Sequence, residues 1–179
     1  MSGEAAPEGE PTQAAAQETV HASCVLLDEA GVLIRGPSGS GKSALCLALL
    51  DRFFLEGRHA RLVGDDRVRL EAHYGRLVAR PHPALAGLIE IRGLGIRRLA
   101  THAPAAVLRL VVDLVPEAER FPERLPDSAA SALLLGVAVP RLALEPRHPR
   151  EYLIREALQA GVAMRTHPAA LVPGGARDV

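Results

Sequence analysis

The segment Gly36-Pro-Ser-Gly-Ser-Gly-Lys-Ser43 carries the most specific chemistry in the sequence. Glycines at 36, 39 and 41 let successive backbone N–H groups face one anion with no Cβ in the way. The helix expected to open at Lys42 adds the partial positive charge of its N-terminus. Lys42 offers a compact cation to terminal phosphates, and the Ser43 hydroxyl can ligate Mg²⁺. The segment matches G-x-x-x-x-G-K-[ST] in full, with Pro37, Ser38, Gly39 and Ser40 at the variable positions. It follows an apolar run and opens an amphipathic one, the context that separates a phosphate cradle from a Gly/Ser-rich turn. Residues 36–43 are therefore expected to bind a nucleotide triphosphate, ATP with Mg²⁺. A cradle alone does not decide whether the γ-phosphate is hydrolysed, transferred or only sensed.

That decision falls to the other charged residues. Arg61-Leu-Val-Gly-Asp-Asp-Arg67 ends a short apolar run in two adjacent carboxylates. At a strand end beside the cradle, such a group can hold Mg²⁺ or accept a proton. Successive side chains on a strand point opposite ways, so Asp65 and Asp66 should do different jobs; which does which stays open, as does a plain surface ion pair. In Leu88-Ile-Glu-Ile-Arg-Gly-Leu-Gly-Ile96, Glu90 and Arg92 are expected on one strand face, opposite Ile89 and Ile91. A carboxylate and a guanidinium side by side suit metal and phosphate ligation, or simply pair with each other in solvent. Arg147 and Arg150 stand between a strand and the last helix, where they could clamp phosphate or line a solvated turn. His21 starts the first strand and is either structural or part of the site. The remaining histidines show no metal-ligand spacing.

These residues need elements to position them. Val20–Leu27 and Gly31–Arg35 read as strands around a turn at residues 28–31. Ser43–Glu56 places Ala44, Leu45, Leu47, Ala48, Leu49 and Phe53 at helical spacing and stops at Gly57. Short strands are expected at Ala60–Val63, Arg67–Ala72, Arg76–Ala79 and Ile89–Ile91. Stronger ones are expected at Val107–Val115 and Val137–Leu144, followed by a helix from Pro149 to Ala163. Strands interleaved with helices and hairpins predict an α/β domain with a mixed sheet and a C-terminal helix. Residues 1–18 read as a disordered acidic tail, 19–170 as one domain, and 171–179 as a frayed C-terminus.

The whole chain sets bounds on function. Its 179 residues are 48% hydrophobic and 23% charged, enough for one packed core. Twenty-one basic residues balance 21 acidic ones, which argues against a nucleic-acid or membrane-surface binder. Cys24 and Cys46 are too few for a disulfide framework and read as buried thiols in a reducing compartment. No apolar run approaches the roughly 18 residues of a membrane span. The first 34 residues hold no Lys or Arg, unlike a signal or transit peptide. A cytoplasmic protein is expected.

The order of motifs resembles the C-terminal catalytic domain of HPr kinase/phosphorylase, a bacterial enzyme that phosphorylates a serine of the phosphocarrier HPr. The resemblance rests on His21-Ala22, Gly36–Ser43, Leu62–Asp66, Glu90–Ile96 and Leu135–Leu142, then Arg147 and Arg150, and covers roughly residues 20–163. The Glu-Ile-Arg-Gly-Leu-Gly run after Asp-Asp is its narrowest motif. The resemblance implies a phosphoenolpyruvate-carboxykinase-like P-loop fold in a short form lacking the family's N-terminal domain. It implies that Lys42 and the cradle bind triphosphate or pyrophosphate, that Ser43 and Glu90 hold Mg²⁺, and that Asp65 or Asp66 takes the proton of the target serine. By the same resemblance, His21 lies near the phosphates and Arg124, with Arg120 as competitor, matches a family arginine. Arg92 would bind phosphate, and Arg147 and Arg150 would serve chiefly the reverse, phosphate-dependent reaction that releases pyrophosphate. The partner implied is an HPr-like phosphocarrier, and the assembly a homo-oligomer, commonly a hexamer. A P-loop kinase of a small molecule and a non-catalytic nucleotide sensor are the other readings. Pro37 replaces a common acidic residue of the family, and the arginine loop reads Glu-Pro-Arg-His-Pro-Arg instead of Pro-Val-Arg-Pro-Gly-Arg.

The basic residues comprise 20 arginines and one lysine, and that lysine is Lys42. A planar guanidinium does not replace a compact ammonium in a phosphate cradle. Lys42→Arg should therefore melt as a folded protein yet bind or use ATP poorly, as a melting curve beside a nucleotide titration will show.

Overall fold

A computed structural model describes residues 16–116 and 130–166, with side chains described up to residue 161. Ten strands and two α-helices occur among these residues, besides one 3-10 turn at Pro83–Leu85: β1 (Gln17–Leu27), β2 (Ala30–Arg35), α1 (Lys42–Leu55), β3 (Ala60–Gly64), β4 (Arg67–His73), β5 (Arg76–Pro81), β6 (Leu88–Ile91), β7 (Gly95–Arg98), β8 (Ala106–Leu114), β9 (Ser131–Leu134), β10 (Val137–Leu144) and α2 (Arg150–Thr166). The mixed α/β architecture and the C-terminal helix agree with the sequence reading. Two short strands, β7 and β9, were not expected, and β1 starts at Gln17, ahead of Val20.

The central layer runs β3-β1-β2-β8-β10. β2, β8 and β10 are mutually parallel, while β1 is antiparallel to its neighbours β2 and β3. A second wall of antiparallel strands, β4 and β5, bridges from β1 to β8 and closes a ring. The β4–β5 hairpin turns at Tyr74-Gly75, both with positive φ (46° and 71°), which matches the right-handed twist of its strands. β9 pairs only with the first half of β10, and β6 and β7 form a separate hairpin.

Period-2 alternation explains the burial. Val32 and Ile34 of β2 point at the helices, where they meet Leu45, Cys46, Leu49 and Phe53 of α1 and Ile154 of α2. Leu33 points the other way, into a second cluster with Cys24, Val63, Val68, Leu70, Leu77 and Val111. Because both faces of β2 are covered, its sequence is continuously apolar and not alternating. Each fully buried Leu, Ile or Phe contributes about 1.5–3 kcal/mol by leaving water. Cys24 and Cys46 are free and buried, as their apolar surroundings predicted. No helix among the described residues is long and apolar enough to cross a membrane.

One feature of β1 places the candidate site. Its first half, through His21, pairs with β4, and its second half, from Ala22, pairs with β2 and β3 on its two edges. At this fork His21 lies opposite Arg67 of β4, next to the Asp65-Asp66 turn. Its neighbour Ala22 lies opposite Arg35, the last residue before the cradle.

Beside the cradle, Asp113 of β8 accepts two bonds from Arg35 of β2, at 2.7 and 2.8 Å, and a third from Arg141 of β10. Burial alone would push the Asp113 carboxyl up. The bonds from Arg35 and then Arg141 outweigh it and hold the group below the usual carboxylate range. A depressed value in the folded state stabilises at neutral pH, and the contribution is lost as pH falls through that value. The arginines are about one-third exposed, so solvent weakens the pairing. Asp113→Asn should cost about 2 kcal/mol at pH 7. In urea melts across pH, its deficit against the wild type should shrink below about pH 4.

Candidate active site

The cradle leaves β2 at Gly36, whose φ of 152° and close surroundings exclude a side chain. A Cβ there would lie 2.8 Å from Ser40 Oγ and 3.0 Å from the Leu114 carbonyl oxygen and Cβ. Gly41 is left-handed (φ 91°) and caps α1, its carbonyl accepting from the Leu45 N–H at 2.9 Å. The first turn of α1 contains no acidic residue of its own, so the positive end of the helix dipole faces the loop and, at Ser43, the Asp65 carboxylate. Lys42 is only 7% exposed. Its Nζ donates to the carbonyls of Gly36 (2.9 Å) and Pro37 (3.1 Å) and lies 3.1 Å from His21 Nε2. Arg150, at the start of α2, lies beside this helix end: a Cβ on Gly41 would be 3.6 Å from its Nη1. Its Nε donates to the Glu145 carbonyl at 3.0 Å. Ser40 Oγ is buried with no hydrogen-bond partner. An ammonium, a guanidinium, a helix N-terminus and an unpartnered hydroxyl thus gather around one loop, a setting made for an anion.

The two adjacent aspartates part company here. Asp65 is 4% exposed and accepts bonds at both oxygens. Oδ1 accepts from Ser23 Oγ (2.5 Å), Oδ2 from the Glu90 N–H (3.1 Å), and the Ser43 hydroxyl lies 2.9 Å from each. Asp66 is left-handed, φ 65°, and the Arg67 N–H closes a three-residue turn onto the Asp65 carbonyl at 2.8 Å. Asp tolerates this region better than most residues, and strain of this kind concentrates at functional sites. The turn leaves the Asp66 carboxylate exposed, 3.1 Å from His21 Nδ1. A neutral His21 with its proton on Nδ1 satisfies both contacts, donating to Asp66 and accepting from Lys42. His21 thus links the loop lysine to the exposed aspartate.

Of the residues singled out by sequence, His21, the cradle 36–43, Asp65, Asp66 and Arg150 come together, with Glu90 joined through its backbone and its side chain exposed. Arg92 does not share a strand face with Glu90: β6 ends at Ile91, and Arg92 lies in the exposed turn toward β7. The glycines at 93 and 95, both with positive φ, bend the chain there. Arg147 is ion-paired with Glu145 at 3.3 Å. Arg124 and its competitor Arg120 lie outside the described residues, as do 1–15 of the expected acidic tail and the expected frayed C-terminus. Sequence reasoning missed Ser23. Its signal was a hydroxyl inside the otherwise apolar run from Ala22 to Leu27.

Cys46, on the buried side of α1, borders this cluster. Burial pushes its thiol well up, with the Asp65 charge and Cys24 adding and the Ser23 hydroxyl pulling back.

A strand-to-helix loop of the G-x-x-x-x-G-K-[ST] pattern on a mixed sheet, with acidic groups at the neighbouring strand end, marks the molecule as a mixed α/β domain with a C-terminal helix. The family model for the HPr serine kinase C-terminal domain matches residues 12–163, and the chain belongs to that family. It is 36% identical over 129 residues to the HPr kinase/phosphorylase of Mycoplasma mycoides, covering 66% of this chain and 39% of that protein. It is 33% identical over 151 residues to the one from Halalkalibacterium halodurans, covering 80% and 47%. The chain thus spans less than half the length of these curated relatives. It is also similar to the solved structure of the Hpr(Ser) kinase/phosphatase from Coxiella burnetii, at 28% identity and a TM-score of 0.70, covering 84% of this chain and 99% of that one.

Gly36→Ala tests the tightness of the cradle. Ser40 can rotate away from the new methyl but the Leu114 backbone cannot, so the variant should lose about 1–3 kcal/mol of stability in a denaturant melt.

Proposed function

We propose that this chain transfers the γ-phosphoryl group of ATP to a serine hydroxyl of an HPr-like phosphocarrier protein. The observation that carries the reading is the division of the aspartate pair: one carboxylate is buried against Ser43, and the other stands exposed beside His21, whose far nitrogen meets Lys42. A nucleotide sensor needs the cradle but has no use for an exposed carboxylate at its mouth. The names of the relatives, HPr kinase/phosphorylase, favour a protein serine over a small molecule as acceptor.

Asp66 is the base in this reading. It takes the serine proton as the serine oxygen forms its bond to the γ-phosphorus and the bond to the ADP oxygen breaks. Asp65 has no free face for that task, because Ser23, Ser43 and the Glu90 N–H occupy its oxygens. Lys42, Arg150 and the cradle N–H groups meet the charge on the transferred phosphoryl. In reverse, inorganic phosphate attacks phosphoserine, pyrophosphate forms, and protonated Asp66 returns its proton to the serine oxygen.

The residues fit Mg²⁺ and a triphosphate. Ser43 Oγ and the exposed Glu90 carboxylate are hard oxygen donors, and Ser40 Oγ is a buried hydroxyl in want of a partner. Ser43 and Glu90 would hold the ion, whose bound charge offsets that of the β- and γ-phosphates. The Ser43 oxygen can face the ion while its proton still goes to Asp65. We assign the fold to the phosphoenolpyruvate-carboxykinase-like phosphate-loop class, working in the cytoplasm. The exposed Leu55 of α1 and Tyr152 of α2, which border one cleft between the helices, support a homo-oligomer.

The test is to incubate the protein with labelled ATP, Mg²⁺ and a purified HPr-type carrier. Label should appear on a carrier serine. Asp66→Asn should lower transfer about 10²–10⁴-fold with ATP binding retained, whereas Asp65→Asn should lose Mg²⁺-dependent binding as well. ATP binding with no transfer to any carrier would favour the sensor. Phosphate added to phosphorylated carrier should yield pyrophosphate.

A further inference from the structure

We propose that Ser23 is a positioning residue for the metal side of this site: by donating to Asp65 it fixes the carboxylate that orients the Ser43 hydroxyl. The inference rests on the kinase reading above and deepens it. Ser23 is fully buried on β1, in the half of the strand that pairs with β2 and β3. Its neighbour Cys24 lies opposite Gly64, the residue before Asp65. The Ser23 hydroxyl is 2.5 Å from Asp65 Oδ1, the shortest of the three donor contacts on that side chain.

The donor arithmetic gives Ser23 its role. The Ser43 hydroxyl has one proton and lies 2.9 Å from both Asp65 oxygens, so it serves one of them at a time. Ser23 on Oδ1 and the Glu90 N–H on Oδ2 pin the carboxylate at both ends whichever oxygen Ser43 uses. Asp65 therefore sets the direction of the Ser43 hydroxyl, and the Ser43 lone pairs face away from it, toward the place where Ser43 would meet the ion. Without Ser23, Oδ1 would keep only the shared Ser43 proton, and a buried carboxylate short of a donor swings or draws Ser43 inward. Losing a group that holds a metal-side ligand in this way typically costs about 10–100-fold in metal affinity.

A serine kept only for core packing would behave differently, and the experiment separates the two. Mn²⁺ replaces Mg²⁺ as the probe. Its binding with ADP is followed by electron paramagnetic resonance, and metal-free ADP binding by calorimetry in EDTA. Ser23→Ala should weaken Mn²⁺ in the ternary complex about tenfold or more, with metal-free ADP affinity changed less than about twofold, because the cradle itself is untouched. Ser23→Thr, which keeps the hydroxyl, should recover most of the loss. Unchanged Mn²⁺ binding in folded Ser23→Ala would overturn the proposal, as would an equal loss of metal-free ADP. Should the alanine variant fail to fold, Ser23→Cys, of similar volume and weaker as a donor, decides: Mn²⁺ affinity about threefold or more below wild type, with metal-free ADP affinity unchanged, supports the role, and wild-type Mn²⁺ affinity overturns it. Wild-type protein that binds no Mn²⁺ with ADP would overturn the kinase reading and this inference with it.

Discussion

The site depends on one buried carboxylate. Taking an ionised carboxylate out of water costs several kcal/mol unless donors replace the lost hydration. Asp65 collects its donors from three parts of the chain: Ser23 from β1, Ser43 from the first turn of α1, and the Glu90 N–H from β6. Each bond is assisted by the charge on the acceptor. The same bonds that offset the desolvation also fix three elements against one another around the cradle. The conformation of Asp66 follows from this. With its neighbour held inside, the chain reverses through a left-handed residue, and the second carboxylate emerges beside His21.

The cradle shows a parallel economy of charge. Lys42 Nζ meets three acceptors, two loop carbonyls and His21 Nε2, which matches the three donors of an ammonium. The single lysine of an arginine-rich chain thus sits where three divergent donors on one nitrogen are needed and a flat fork would not serve. Arginine is used where its planar geometry helps, as in the two-pronged contact of Arg35 with Asp113.

Much of this was legible in the sequence. The cradle was readable because its chemistry is local, with glycines, lysine and serine at fixed spacing between a strand and a helix. β2, α1, β8 and β10 were readable from long apolar runs and helical spacing. Different surroundings for Asp65 and Asp66 were expected from strand alternation, but the two lie in the turn between β3 and β4, and it is that turn that parts them. Which carboxylate is buried depends on donors 22 to 42 residues away, which local pattern cannot see. The fork in β1 is likewise invisible, since one strand serving different partners along its length is a tertiary fact. Arg92 was misplaced because alternation was carried one residue past the expected strand Ile89–Ile91, into the turn that the following glycines shape. β7 escaped notice because all four of its residues are exposed and carry no burial pattern. β9 is a four-residue strand too short to declare its alternation.

In the proposed reaction the paired aspartates divide the labour, Asp65 on the metal side and Asp66 at the acceptor. A crystal structure with Mg²⁺, ADP and the carrier protein bound addresses it most directly. That structure should show Ser43 Oγ about 2.1 Å from the ion, Asp65 still bonded to Ser23 and Ser43, and Asp66 within hydrogen-bond reach of the acceptor serine. Asp66 in the coordination shell of the ion, with Asp65 turned out toward the serine, would contradict this division of labour.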